Sequence, residues 1–370
     1  MEVVVQKKDL HKVLTKIQNI PEQRNLASPL SNCILECQDH SELKVSALSY
    51  DAEIEVLCPA QIIEGGVLTL SARSLFDAVR ALPDAPITIK SEPNHWANVV
   101  AGRTKIKVPG VDPVTMPQRR TPNPTDILHL PVSLASEMFE AVAFAMSTDE
   151  GRPNLNGVYF KVDENEVVEA VATDGSRLAR VVRKVEGKFV GKPVGVIVHK
   201  KGILEMRRFL EQEDSEVEIG FERERITFKT PRGFLVVRQV ELEFPDYKRV
   251  LFGEGRWKFS ALKSELLEGV RRTSVVLSSE RLPVIQLSLE PGRLLLSAKD
   301  PDRGEAETEI DCEYEGERFE IKFNSRYLLE GLSAMPGETV MFEIREQAHV
   351  TQITTPDDEG VMQLLMPIRE

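Results

Sequence analysis

The chain of 370 residues is too long for one ordinary hydrophobic core, because domains average roughly 150 residues, so two or three domains are expected. Hydrophobic residues make up 41% and charged residues 29%, which indicates a globular rather than a disordered chain. The net charge of −12 excludes a protein that coats nucleic acid with a uniformly basic surface.

The sequence lacks the patterns typical of membrane, secreted and catalytic proteins. No apolar run reaches the ~18 residues that span a bilayer, and no cleavable leader follows Met1, so we expect a cytoplasmic protein. Cys33, Cys37, Cys58 and Cys312 have no CxxC spacing and are expected to be free thiols. The six histidines have no metal-ligand spacing, and we find no nucleotide-binding or nucleophile motif. We therefore predict no metal, no cofactor and no enzymatic activity.

A strand followed by an amphipathic helix recurs along the whole chain. Ser71, His199 and Asn324 stand where helix caps are expected, 128 and 125 positions apart. The helices are predicted at residues 7–20, 71–82, 133–147, 199–212, 262–278 and 324–335.

Each repeat contains two successive strand-helix-strand-strand modules, in which strands outnumber helices. This pattern predicts an α+β fold of three similar domains in one chain. Links at 110–126, which is rich in proline, and at 243–255 separate the repeats. We place the domains at 1–122, 123–250 and 251–370.

Basic residues are concentrated on the predicted helices. The six helices carry 14 Lys or Arg and 9 Asp or Glu, whereas the rest of the chain carries 33 and 50. This segregation suggests that the helices line one surface facing a polyanion, with the sheets outside. Three domains, each about 18 Å in radius, cannot close around a duplex, whereas six leave a hole about 35 Å wide. A head-to-tail dimer is therefore the smallest even ring.

Five separate motifs occur in the order found in one known family. The chain resembles the β sliding clamp of bacterial DNA polymerase III in "NLNGVYF" (154–160), "VATDGSRLA" (171–179), "FPDYKRVL" (244–251), "FNSRYLLEGL" (323–332) and "LLMPIR" (364–369). The resemblance implies a ring-shaped dimer with helices inside, which encircles duplex DNA and confers processivity. The alternative that the residues leave open is a nucleic-acid enzyme with a dispersed metal-dependent site.

The resemblance also assigns roles in DNA binding and ring closure. Loose phosphate contact without base readout is expected from Arg24, Arg73, Arg80, Arg152, Lys200 and Lys201. In the neighbouring loop this chain has Asp149 and Glu150, where some relatives have polar residues that contact DNA. The dimer interface is expected at the strand edge of Ile106 and Val108, which meets Val276 and Leu277 of the other subunit.

A peptide-binding cleft is the third implication of the resemblance. Its expected ligands are short motifs containing Gln and Leu from the replicative polymerase, the clamp loader and repair factors. Ser176 and Glu370 differ from the residues that some relatives have at these two positions, so the preference for particular peptide motifs can differ as well. Arg177 is expected to orient the bound peptide. The expected lining is Leu155, Thr173, Gly175, Arg177, Leu178, Pro245, Arg249, Val250, Met366, Pro367, Ile368 and Arg369.

Overall fold

The computed structural model describes residues 1–22, 25, 28–37, 41–119, 121–213, 215–278, 282–345 and 349–369. They form two compact units. The first comprises Met1–Ser136, Gly187–Lys192 and Lys201–Gln239, and the second comprises Glu137–Glu186, Pro193–Lys200 and Val240–Glu370. None of the helices in these described ranges combines the length and the apolar character needed to cross a membrane.

The described residues of the first third of the chain form two α-helices and nine strands. The helices are α1 (Lys7–Ile17) and α2 (Ala72–Ala81). The strands are β1 (Glu2–Val5), β2 (Asn32–Cys37), β3 (Glu42–Leu48), β4 (Ala52–Glu64), β5 (Gly66–Ser71), β6 (Ile87–Ser91), β7 (Ala97–Ala101), β8 (Thr104–Val108) and β9 (Gly110–Val111).

In the middle third, the part that the structure describes also forms two α-helices and nine strands. The helices are α3 (Val132–Ala143) and α4 (Lys200–Leu210). The strands are β10 (Asp126–Pro131), β11 (Gly157–Val162), β12 (Val167–Thr173), β13 (Arg177–Lys184), β14 (Phe189–Val190), β15 (Val194–His199), β16 (Glu216–Phe221), β17 (Arg225–Thr230) and β18 (Gly233–Arg238).

In the last third, two α-helices and eight strands are found among the described residues. The helices are α5 (Lys263–Thr273) and α6 (Ser325–Ala334). The strands are β19 (Trp257–Leu262), β20 (Val284–Glu290), β21 (Arg293–Asp300), β22 (Gly304–Asp311), β23 (Phe319–Asn324), β24 (Thr339–Ile344), β25 (Thr351–Thr354) and β26 (Val361–Leu365).

All six predicted helices are present, and each begins within one residue of its predicted start. Side-chain caps fix two of these starts. The Ser71 hydroxyl accepts a hydrogen bond from the Ser74 amide at 3.3 Å, and the Asn324 side chain accepts from the amides of Arg326 and Tyr327. The fifth helix ends early because Ser274–Val276 forms a 3₁₀ turn. The fold class inferred from the sequence is therefore confirmed.

The module differs from the predicted one by one strand. Three strands rather than two follow each helix, as in β19, α5, β20, β21 and β22 and again in β23, α6, β24, β25 and β26. The reason is that the segment after each helix contains three short apolar runs rather than two. The prediction of two strands after each helix was therefore wrong, whereas the prediction that the module repeats was correct.

Antiparallel pairing organises each unit. In the first unit, β14-β10-β16-β17-β18-β4-β1-β6-β7-β8 lie in that order, and β3, β2, β5 and β9 extend from β4. The second unit has an eight-stranded sheet, β15-β11-β12-β13-β26-β25-β24-β19, and a four-stranded sheet, β22-β21-β20-β23. The antiparallel β12 and β13 therefore lie beside the C-terminal strand β26.

Apolar stripes on the helices supply the cores. Leu10, Val13, Leu14 and Ile17 are buried on α1, at the spacing of one helical face. Full burial of each such side chain stabilises the fold by about 1.5 to 3 kcal/mol. In the second unit, the rings of Phe259 and Phe342 stack with centroids 4.6 Å apart.

Candidate functional site

An apolar groove lies at the tip of the β12–β13 hairpin. Its volume is about 210 Å³, and we call it the hairpin groove. It includes eight of the twelve residues expected in the cleft. It is lined by Leu155, Thr173, Gly175, Ser176, Arg177, Leu178, Pro245, Asp246, Tyr247, Val250, Val350, Leu364 and Met366.

The floor of the hairpin groove is a small aromatic and aliphatic cluster. Tyr247, Leu178, Val171 and Leu364 are buried together. Phe244 packs against them and stacks on Tyr159 with ring centroids 5.0 Å apart. A rigid apolar floor of this kind suits a leucine or methionine side chain from a ligand.

Local hydrogen bonds shape the hairpin tip at Asp174, Gly175 and Ser176. The Thr173 hydroxyl accepts from the Gly175 amide at 3.1 Å and donates to the Arg177 carbonyl oxygen at 2.6 Å. One carboxylate oxygen of Asp174 accepts from the amides of Ser176 and Arg177. Gly175 has φ +94°, a region that favours glycine. Asp174, Gly175 and Ser176 therefore form a three-residue loop between the two strands.

The Arg177 side chain is held by the protein's own groups. Only 9% of the side chain is exposed. Its Nε donates to Asp174 at 3.0 Å, Nη1 donates to Glu330 at 2.5 Å, and Nη2 donates to the Phe144 carbonyl oxygen at 2.6 Å. The guanidinium also lies 4.1 Å from the Tyr327 ring centroid. Because these contacts engage the guanidinium, Arg177 supports the groove wall rather than presenting a free donor to a peptide.

The C-terminal segment only partly follows the expectation. Met366 lines the hairpin groove, and its amide donates to the Ser176 carbonyl oxygen at 2.9 Å. Pro367 is buried, and the Ile368 amide donates to the Lys322 carbonyl oxygen at 2.8 Å. Pro367, Ile368 and the exposed Arg369 are not among the lining residues. Glu370 lies outside the described residues.

Arg249 also lies away from the hairpin groove. Its side chain is 83% exposed and pairs with Asp246 at 2.9 Å. Sequence reasoning missed five lining residues: Ser176, Asp246, Tyr247, Val350 and Leu364. Asp246 and Tyr247 belong to the quoted segment "FPDYKRVL", which was the available signal. For Val350, which lies 174 positions after Ser176 at the hairpin tip, the sequence offers no local signal.

A buried ionic network lies beneath Tyr247. Glu169 is only 3% exposed, and Lys161 contacts its carboxylate at 2.6 Å. Arg180 pairs with the other carboxylate oxygen. Burial opposes the charged form of Glu169, but hydrogen bonds from these two cations outweigh it and lower the pKa of the carboxyl. Burial and the adjacent carboxylate raise the pKa of the Tyr247 phenol, which therefore stays protonated.

The predicted DNA contacts are exposed and mostly paired with acidic side chains. On α2, Asp77 lies 4.0 Å from Arg73 and 3.1 Å from Arg80. These ion pairs are solvent-exposed, so a phosphate can compete for the arginines. Arg24 lies outside the described residues.

The remaining predicted DNA contacts belong to two further segments. Lys200 is exposed at the start of α4, and Lys201 lies 3.8 Å from Asp51. Arg152 pairs with Asp149 at 2.8 Å. The departure noted at Asp149 therefore has a local structural role, because this carboxylate also accepts from the Gly151 amide.

The predicted interface residues lie on one sheet edge and at one 3₁₀ turn. Strand β8 is the last strand on its side of the first unit's sheet, with Ile106 half-buried. Val108 is 1% exposed, so only its backbone, and not its side chain, is available to another chain. In the second unit, Val276 and Leu277 are half-buried in and after the 3₁₀ turn. Val275, which the sequence reading omitted, is 69% exposed.

The cysteines lie outside the hairpin groove as the structure describes it. All four cysteines are free and buried. Burial raises the pKa of the Cys33 and Cys58 thiols to about 12. Within the described ranges, no group of three His, Cys, Asp or Glu side chains is arranged to hold a metal ion.

Comparison with known protein families gives matches along nearly the whole chain. Residues 1–119 match the N-terminal domain of the DNA polymerase III beta subunit, residues 129–246 match its central domain, and residues 248–369 match its C-terminal domain. The beta sliding clamp of Caulobacter vibrioides is 32% identical over 374 residues, covering 100% of both chains.

Solved structures of clamps have the same fold. The beta sliding clamp of Caulobacter crescentus, solved with polyethylene glycol in a region assigned to beta-motif tethering, has a TM-score of 0.93 at 32% identity, over 100% of this chain and 99% of the other. A sliding clamp from Pseudomonas aeruginosa bound to griselimycin, a DNA polymerase III subunit beta, has a TM-score of 0.93 at 29% identity, with full coverage of both chains.

Proposed function

Because this chain belongs to the DNA polymerase III beta subunit family, we propose that it is a sliding clamp that encircles duplex DNA and tethers the replicative polymerase. It is a non-catalytic accessory subunit. It acts in the cytoplasm, and it needs an ATP-driven clamp loader to be placed on DNA. Its domains are 1–122, 123–250 and 251–370.

The observation that carries this proposal is the hairpin groove, in a chain that matches named sliding clamps over its full length. Partner recognition is its role. An open apolar groove beside a fixed hairpin tip accepts an extended peptide with one or two apolar anchors. The polymerase, the clamp loader and repair factors carry such peptides and compete for this groove.

DNA contact depends on exposed cations that do not read bases. Arg73, Arg80, Arg152, Lys200 and Lys201, together with Arg24, make phosphate contacts on the inner side of the ring. Screened and transient contacts allow the ring to move along the duplex, whereas direct base contacts would hold it at one sequence.

Ring closure joins two sheet edges of opposite charge. Strand β8 carries Lys105 and Lys107 on exposed positions, and the edge strand β22 carries Glu305, Glu307 and Glu309. Pairing β8 of one subunit with β22 of its partner extends the sheet and brings opposite charges together. The dimer is head-to-tail because each chain has one edge of each kind.

Topology tests the proposed function. The protein is loaded on nicked circular DNA with a clamp loader, and retention is measured before and after the circle is cut once. A clamp stays on the circle and slides off the linear product. Equal retention on circular and linear DNA would contradict encirclement.

A further inference from the structure

A polar pocket in the first unit is separate from the hairpin groove. It has a volume of about 400 Å³, which falls within the roughly 300–1,000 Å³ of small-molecule sites. It lies where the β3–β4 turn meets the ends of β17 and β18. We call it the Glu53 pocket, and its lining includes Tyr50, Asp51, Glu53, Gln118, Arg225 and Arg238.

The Glu53 carboxylate lacks a hydrogen-bond donor. Its residue is 9% exposed, and Oε1 is buried without a hydrogen-bond partner among the described residues. The nearby Arg119 is engaged elsewhere, since it donates to Glu55 at 2.8 Å and to Glu36 at 3.3 Å. Burial raises the pKa of the Glu53 carboxyl despite the attraction of Arg119 and Arg225. A small rotation of the Glu53 side chain is needed to turn this covered oxygen towards the pocket, and a ligand that then donates a hydrogen bond to it removes a desolvation penalty.

Two arginines restrict what such a ligand can be. Arg225 and Arg238 are directly paired across β17 and β18, and both line the pocket. Asp51 and Glu224 also line the pocket, so it presents three carboxylates and two guanidinium groups, and a simple cation would leave the two arginines without an acceptor. The ligand must therefore offer a donor to the carboxylate and an acceptor to an arginine. Cytosine, adenine and guanine each carry an amino group beside a ring nitrogen or carbonyl acceptor, whereas thymine has no amino group.

The rim of the pocket has the other features of a nucleobase site. Tyr50 lines the pocket and is 81% exposed, so one face of an aromatic ring is available for stacking. Asp51, also on the rim, lies 3.8 Å from Lys201, one of the proposed phosphate contacts. Lys201 therefore lies near the rim, where it can contact a strand that continues beyond the pocket.

We propose that the Glu53 pocket binds an unpaired nucleobase that carries an amino group. Glu53 accepts from the amino group, Arg225 or Arg238 donates to the adjacent acceptor, and Tyr50 stacks on the ring. The base can come from a free nucleotide or from single-stranded DNA. The idea that the base comes from single-stranded DNA rests on the proposed function, because that function places DNA at Lys201. The base preference of the pocket does not depend on the proposed function.

Homopolymers of equal charge test the base preference. Binding of the full chain to fluorescent oligodeoxycytidylate and oligodeoxythymidylate of about eight nucleotides is measured by anisotropy. We expect cytidylate to bind about tenfold more tightly, the discrimination of one well-made base contact. Tyr50→Ala and Glu53→Gln should abolish the difference, and Tyr50→Phe should keep it. Thermal unfolding checks that each variant is folded, and Tyr50 is exposed enough that its replacement leaves the fold intact.

Free dCMP separates the two sources of the base. If single-stranded DNA is the ligand, the oligomer binds more tightly than dCMP, and Lys201→Gln weakens only the oligomer. If a free nucleotide is the ligand, dCMP binds as tightly as the oligomer and Lys201→Gln changes neither. Equal binding of cytidylate and thymidylate, or an undiminished preference in both Tyr50→Ala and Glu53→Gln, overturns the proposal. Failure of the circular-DNA test would instead overturn the clamp function and leave the base preference standing.

Discussion

The backbone amide of Met366 donates a hydrogen bond to the carbonyl oxygen of Ser176, with 2.9 Å between the two atoms. This bond fixes the C-terminal segment to the hairpin tip, although the two residues are far apart in sequence. It continues the pairing of β13 with β26, in which Arg177 lies opposite Leu365. One wall of the hairpin groove is therefore held by backbone bonds rather than by side-chain packing alone.

Replacing Met366 tests the ligand role of this wall. Met366→Ala keeps the amide and its bond but removes an exposed apolar side chain from the groove. We expect affinity for a peptide containing Gln and Leu to fall about tenfold, or about 1.4 kcal/mol. Fluorescence anisotropy measures the change. Val114→Ala, at a position 88% exposed in the first unit, is the control. Native affinity of Met366→Ala would remove this residue from the site.

Replacement by alanine should lower the free energy of unfolding far more at Arg177 than at Arg249. Arg177→Ala leaves the carboxylate of the nearly buried Asp174 without its arginine and is expected to lower the free energy of unfolding by about 3 kcal/mol. Arg249→Ala removes an exposed pair and should change it by less than about 0.5 kcal/mol. Denaturant unfolding, monitored through a spectroscopic probe in the second unit, measures the free energy of unfolding of both variants. Equal effects would contradict the structural role of Arg177.

Acid should weaken the network beneath the hairpin groove. The folded-state pKa of Glu169 lies below its ordinary value of 4.5, so its stabilising contribution is present above that pH and is lost as the pH falls through the lowered pKa. Melting temperatures between pH 7 and pH 3 measure this loss. Glu169→Gln should melt at a lower temperature at pH 7, and its melting temperature should depend less steeply on pH in the acid range. An unchanged slope would show that Glu169 is not the responsible group.

Leu277 tests ring closure. Leu277→Asp places a charge in the expected interface, and we expect the solution mass to fall from twice 41.6 kDa to 41.6 kDa. Light scattering after size exclusion gives the mass. Val114→Asp is the matched control, because it introduces the same charge at an exposed position outside the expected interface. A dimer that survives Leu277→Asp would contradict this assignment.

The pair Lys200 and Lys201 tests DNA contact. Replacing both by glutamine should weaken duplex binding and reduce the slope of log affinity against log salt by about 2, because each phosphate contact releases about 0.9 of a counterion. Binding titrations at several salt concentrations give the slope. Melting temperature controls for folding. A slope equal to that of the unmodified protein would remove both lysines from the interface.

The sequence predicted the helices well because their information is local. A 3.6-residue period and a cap such as Ser71 or Asn324 are contained in about a dozen residues. The number of strands was predicted less well. Short apolar runs that follow one another closely in sequence, such as β2, β3 and β4, are easily taken for one hairpin when only alternation is considered.

The candidate site was only partly predictable because its members meet through tertiary structure. Thr173 and Leu178 belong to one hairpin and carry a local signal. Glu330, which ties Arg177 into the protein, lies 153 positions away from it. The sequence therefore suggested an arginine facing a ligand, whereas the structure buries it. Val108 was misjudged for a similar reason, since strand alternation alone does not reveal which face packs on a core.

Because all four native thiols are buried, the chain is suited to site-specific labelling through an introduced cysteine. Their raised pKa values keep thiolate scarce at neutral pH, so maleimide reagents should leave the native cysteines unmodified. A single cysteine introduced at the 47% exposed Val250 would then carry a fluorophore at the rim of the hairpin groove. The arrival and exchange of competing partners could be followed there in real time, without first replacing any of the native cysteines.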